Sequence, residues 1–140
     1  MDRIIGIDYG SARVGLAISD PLHIFASPLE TVPSTKIIEY LQKLIESQKV
    51  ERFVLGWPTN MDGRPSSAAA DVEAFRARLT GRFPGIPVTL EDERFTSVLA
   101  HRAMIDGGMK KSDRRNKASV DRISAAIILQ SFLDKSNNGR

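Results

Sequence analysis

The sequence contains no cysteine and only two histidines, His23 and His101. It therefore offers no disulfide framework, no thiolate zinc site, no cysteine nucleophile and no histidine-rich metal centre. No apolar run approaches the roughly 18–20 residues that a membrane-spanning helix needs. Asp8 interrupts the N-terminal run MDRIIGIDYG too early for a secretory signal. These absences predict a soluble, cytoplasmic protein with no membrane partner. Hydrophobic residues make up 41% of the 140, enough for a packed core and too many for wholesale disorder. That length fits one domain over residues 1–140 rather than two domains closing on a cleft.

The net charge is only +3, but its location is informative. Between Arg102 and Arg122 stand seven Lys+Arg and three Asp, whereas the rest of the chain has thirteen Lys+Arg against fourteen Asp+Glu. All the excess positive charge lies in one segment, as in a phosphate-facing patch; the plain alternative is a solvated basic loop.

Patterning along the chain predicts strands at Arg3–Asp8, Val14–Ile18 and Ile24–Val32. Pro28 marks the third as an edge strand or a bulge. Their connections are too short for crossover helices, so the three pair antiparallel. Ile37, Ile38, Leu41, Leu44 and Ile45 then line one face of a helix, with Ser34 as its expected N-cap. Arg52–Gly56 is the next strand. A helix starting near Ser66 or Ser67 turns Val72, Phe75 and Leu79 inward, and Pro87–Leu90 is the fifth strand. Helices follow over about Thr96–Asp106, stopped by Gly107-Gly108, and about Ser119–Leu133, with a frayed tail from about Lys135. The fold class is α/β, a five-stranded mixed sheet with helices on both faces.

Several carboxylates stand where they need an explanation. Asp8 ends the first strand, where it either caps the following turn or binds a metal at the carboxyl edge of the sheet. Asp92 and Glu93 follow the fifth strand. Adjacent strand residues face opposite ways, so only one shares a site with Asp8; alternatively both are surface charges, one paired with Arg94. Taking Val120, Ile123 and Ile127 as the buried stripe of the last helix, Asp121 sits on or beside its edge and can reach the sheet. An acid there also suits the positive N-terminal end of a helix. Oxygen-only ligand sets favour Mg²⁺ or Mn²⁺ over zinc, and such ions support phosphodiester hydrolysis. Trp57 beside Pro58 either stacks a base or packs under its loop, and Phe95 reads as core. His23 and His101 have no partner in sequence, and neither receives a role.

These residues carry a resemblance. Gly6-Ile7-Asp8-Tyr9-Gly10, with Arg13, Gly15, Ala17 and Ser19-Asp20, resembles the opening signature of the YqgF/RuvX family. Gly56-Trp57-Pro58 with Gly63, then Asp92-Glu93-Arg94 with Thr96, and finally Asp121 with Ala125-Ala126 and Ile128-Leu129, match in order over essentially the whole chain. Trp57 replaces the usual Leu and Ser97 a common second Thr; neither touches the acidic set. The resemblance implies an RNase H-like fold related to the Holliday-junction resolvase RuvC. It also implies a metal-dependent nuclease site formed by Asp8, Glu93 and Asp121 around Mg²⁺ or Mn²⁺, with Asp92 in reserve for Glu93. Arg13, Arg94, Lys110, Lys111, Arg114, Arg115 and Lys117 are the nucleic-acid-binding candidates. The implied substrate is pre-16S ribosomal RNA, in maturation of its 5′ end, with branched DNA as the alternative and a monomer or homodimer as the working form. A non-catalytic nucleic-acid binder fits less well, because a phosphate backbone gains nothing from clustered negative charge.

Overall fold

The period of two in the first strand divides its side chains between two layers. In β1 (Arg3–Tyr9), Ile5 and Ile7 are fully buried in one layer, while Ile4 packs in the other. The structure is a computed structural model that describes residues 2–60, 63–64, 66–94, 96, 99–100, 102–103 and 117–138. β2 (Arg13–Ser19) pairs antiparallel with β1, and β3 (Ala26–Pro33) antiparallel with β2. A 3-10 turn (Ser34–Lys36) leads into α1 (Ile37–Ser47), then β4 (Val50–Trp57), parallel to β1. α2 (Ala69–Arg82) crosses to β5 (Val88–Asp92), parallel to β4, and the last described helix is α3 (Lys117–Asn138). The sheet order is β3-β2-β1-β4-β5, the expected five-stranded mixed sheet with its first three strands antiparallel.

One face of the sheet packs Leu16, Phe53 and Leu55 against Ile37 and Leu41 of α1 and Val72, Phe75 and Leu79 of α2. The other packs Ile4, Ala17 and Val54 against Ala125, Ile128, Leu129 and Leu133 of α3. Both expectations for Pro28 hold. β3 is an edge strand, and its register with β2 shifts between Leu16 and Ala17, leaving Leu29 as the extra residue. Trp57 is half-buried against the core, as a packing residue would be.

Four expectations need correction. Ser34 does not cap α1; its hydroxyl donates to the Ser11 carbonyl at 2.6 Å, and the helix begins three residues later. α2 starts at Ala69, after a turn in which Ser66 Oγ accepts from the Ala68 amide. The tail is not frayed from Lys135, since α3 continues to Asn138. The buried stripe of α3 is Ser124, Ala125, Ile128, Leu129 and Leu133, one position on from the expected one, and Val120, Ile123 and Ile127 are only half-buried. Thr96, Leu99, Ala100, Arg102 and Ala103 are helical, as expected. The Gly107-Gly108 stop, Phe95, His101 and the basic residues Lys110, Lys111, Arg114 and Arg115 lie outside the described residues. Among the described residues, no helix is long and apolar enough to cross a membrane.

Candidate active site

The corrected stripe of α3 changes the position of Asp121. Residues 121, 125 and 128 share one helical face, so Asp121 continues the line of buried Ala125 and Ile128 down onto the sheet. What brings the helix close is the absence of side chains beneath it. A Cβ on Gly15 of β2 would overlap the Asp121 backbone carbonyl, and one on Gly6 of β1 would lie 2.7 Å from Leu129 Cβ. On β4, a Cβ on Gly56 would stand 2.5 Å from Glu93 Oε2 and 2.6 Å from Ile128 Cδ1. The glycines of the sequence motifs are thus the floor of the site: they let a helix and two carboxylates occupy space that side chains would fill.

The acidic run after the fifth strand divides by strand alternation. Glu91, only 5% exposed, accepts from Ser131 Oγ at 3.1 Å and pairs with Lys135, both on α3. Asp92 turns outward, accepting from the Arg94 amide at 2.8 Å and pairing with its guanidinium at 3.3 Å. Glu93 turns inward and hydrogen-bonds Asp8. The structure therefore brings Glu93, not Asp92, against Asp8.

Two half-buried carboxyls in contact cannot both ionise cheaply. Burial, opposed by the hydrogen bond from Glu93 and reinforced by the charge of Asp121, raises Asp8 to about 6. Burial first, then the Asp8 charge, the shared hydrogen bond and the Asp92 charge, raise Glu93 to about 9. Near neutral pH the pair therefore holds one proton across the hydrogen bond between the two carboxyls.

Asp121 is close enough to bear on Asp8, but its carboxylate is engaged elsewhere. Arg13 Nε donates to Asp121 Oδ2 at 2.8 Å, with the two side chains 41% and 22% exposed. A cleft of about 260 Å³ opens here, lined by Asp8, Gly10, Ser11, Arg13 and Asp121 among others. Among the described residues, no three acidic or imidazole side chains stand in a ready ligand set. The donors do suit a hard cation: they are all carboxylate oxygens, and a protonated pair of acids is what a desolvated anionic site holds when only protons can neutralise it. Of the other candidates, Arg94 is bound to Asp92 and Lys117 is exposed in the first turn of α3. His23 Nε2 meets the Asp2 carbonyl at 2.9 Å and lies 3.4 Å from Glu51, far from this cleft in the sheet register.

Three polar residues take roles that the sequence pattern did not give them. Ser34 fixes the hairpin turn that carries Arg13, through its hydroxyl on Ser11 and its amide on the Ala12 carbonyl at 3.0 Å. Ser19 and Asp20, part of the same opening motif, sit at the other end of β2 and are structural. Ser19 Oγ accepts from the Ile4 amide, and Asp20 accepts from the amides of Leu22, Ile24 and Phe25.

Known proteins resemble this chain along nearly its whole length. Residues 2–135 match the family described as "RuvX: Holliday junction resolvase". A Phocaeicola vulgatus protein named "Putative pre-16S rRNA nuclease" is 49% identical over 134 residues, covering 96% of each chain. One of the same name from Azobacteroides pseudotrichonymphae is 52% identical over 134 residues, covering 96% of this chain and 97% of its own. Among solved structures, RuvC of T. thermophilus in complex with a Holliday junction substrate aligns with a TM-score of 0.59 at 20% identity, covering 97% of this chain and 96% of its own. The Fowlpox virus resolvase in complex with Holliday junction DNA aligns with a TM-score of 0.60 at 12% identity, covering 96% and 98%. At such identities the likeness is one of fold, the RNase H-like fold of the resolvases. With near-half identity to relatives over nearly the full length and a family match spanning residues 2–135, the chain belongs to the RuvX family.

Proposed function

We propose that this chain is a metal-dependent endonuclease that hydrolyses phosphodiester bonds in 5′-end maturation of pre-16S rRNA. The observation that carries the reading is the convergence of Asp8, Glu93 and Asp121 at one end of the sheet, with Asp8 and Glu93 sharing a proton where a cation would replace it. The substrate class comes from relatives about half identical over nearly the whole length of both chains.

Asp8, Glu93 and Asp121 would hold Mg²⁺ or Mn²⁺, and Asp92 serves instead to fix Arg94. When bound, such an ion supplies charge stabilisation at the phosphate and lowers the pKa of water. The chain's own part is to keep three oxygen donors on a rigid floor, with Gly15 and Gly56 setting the approach of α3 and Glu93. Arg13, Arg94 and Lys117 stand around that end with free or exchangeable cationic charge for the phosphate backbone, and Lys110, Lys111, Arg114 and Arg115 extend the positive segment in sequence. An RNA substrate of this kind supports a cytoplasmic location.

The family description favours a second reading, resolution of Holliday junctions. A symmetric four-way junction needs two active sites and hence a dimer. One experiment separates the two readings: purified protein with Mg²⁺ is given labelled pre-16S rRNA and a labelled four-way DNA junction side by side. Cleavage of the RNA alone is expected. Cleavage of the junction alone would transfer the function to DNA, and a folded protein that cuts neither would end the nuclease reading.

A further inference from the structure

We propose that Arg13 is an exchangeable counter-ion: in the free protein it neutralises Asp121, and on nucleic-acid binding it moves to a backbone phosphate and releases Asp121 to the divalent cation. The idea deepens the nuclease reading and rests on it. Three observations carry it.

The first is the form of the contact. Arg13 reaches Asp121 through Nε alone, at 2.8 Å, rather than through the two-point fork that a committed arginine–carboxylate pair uses. Among the described residues, its two terminal nitrogens have no partner. With the side chain 41% exposed, those donors are open to an incoming phosphate, the anion that a planar guanidinium grips best.

The second is what is fixed and what is free. The turn Tyr9–Arg13 is tied down by Ser34 at the Ser11 and Ala12 carbonyls, and by the Gly10 amide on the Arg13 carbonyl at 2.9 Å. Asp121 is seated by the close approach of its backbone to Gly15. Neither backbone needs to move for the exchange, because rotation of one half-exposed side chain completes it.

The third is the incomplete gathering of the acids. Asp8 and Glu93 are joined, while Asp121 faces the same cleft but is held by a cation already present in the chain. A guanidinium and a divalent ion compete for that carboxylate. Whatever draws Arg13 away therefore completes the ligand set, and the cation is gripped fully only when nucleic acid is present.

The test measures two separate bindings: Mn²⁺ in the absence of RNA, by calorimetry, and fluorescent pre-16S rRNA in EDTA, by anisotropy. Arg13→Gln should tighten Mn²⁺ about two- to fivefold, the scale of a lost half-exposed ion pair, and weaken RNA by a similar factor. Asp121→Asn should strengthen RNA binding in EDTA by freeing Arg13, and that gain should vanish in the Arg13→Gln background, since the effect passes through one pair. Arg13→Lys, which keeps the charge without the fork, should lie between wild type and Arg13→Gln in both measurements. Unfolding midpoints of the variants confirm that each is folded. If wild type binds both ligands and Arg13→Gln leaves Mn²⁺ affinity unchanged or weaker, the exchange is wrong and the nuclease reading stands. If wild type binds neither, the nuclease reading itself has failed.

Discussion

Asp8 and Glu93 both titrate higher in the folded chain than their ordinary values of 3.8 and 4.5, at about 6 and about 9. A group with a raised folded pKa stabilises the fold fully below its unfolded pKa and loses that contribution as pH rises through the folded one. The contribution of this pair to the stability of the cation-free protein should therefore be fully present below about pH 4 and be lost through pH 6 toward pH 9. Asp8→Asn removes one of the two charges in conflict. In EDTA at pH 8 its unfolding free energy should equal or exceed that of wild type by about 1–2 kcal/mol, with a flatter pH dependence, as denaturant titrations at pH 5 and pH 8 will report. Nucleolytic activity with Mg²⁺ should fall by orders of magnitude. A variant less stable than wild type at pH 8 would make Asp8 a turn cap, and one that cuts at full rate would remove it from catalysis. Much of this was legible in sequence, because a carboxylate closing an apolar strand is costly without a purpose. The choice between Asp92 and Glu93 was not legible from the acids themselves. It depends on where the strand stops alternating and which neighbour takes the spare charge, and here Arg94 takes Asp92.

For the elements, period-two and period-3.6 patterns located every strand within about two residues, because one-sided burial leaves a repeating signature. The same reasoning misjudged the face of α3. Val120, Ile123 and Ile127 read as core, yet the buried residues are Ser124, Ala125, Ile128, Leu129 and Leu133. The reason is proximity: α3 lies on a part of the sheet paved with glycine, which takes the Asp121 backbone over Gly15, Leu129 over Gly6 and Ile128 over Gly56, and a hydrophobicity pattern carries no information on separation. A methyl group placed in that contact should act at a distance from itself. Gly15→Ala forces Asp121 and the first turns of α3 upward, and should cost about 1–3 kcal/mol of stability, the range for overpacking. It should also depress activity, though no reacting group is altered. Chemical denaturation and nuclease assay of the one variant check both, and a variant with wild-type values of each would show that Gly15 does not set the seat of the helix.

At the scale of the whole molecule, the resemblance to a resolvase-like fold was readable from ordered motifs spread along the chain, while the three-dimensional path between them was not. The acids come from the first strand, the end of the last strand and the last described helix, and the Arg13–Asp121 bond joins positions 108 residues apart. Loops of that length must close before the contact repays them, which makes such contacts slow to form. The β-hairpins and the α1 and α2 layer use nearer partners and can form ahead of α3. On refolding from denaturant, Trp57 fluorescence, which reports the layer packed by α1 and α2, should recover before RNA binding and cleavage return. Recovery of all three in a single phase would mean that sheet and last helix fold as one unit. The order of synthesis is the same as the order of assembly, since chains emerge from the ribosome N-terminus first. A nascent chain can display Asp8 and Glu93 while Asp121 is still in the exit tunnel, so the three acids are not yet together. On the nuclease reading proposed above, lateness of the last helix is a safeguard: the third acid joins the other two only once that helix has formed.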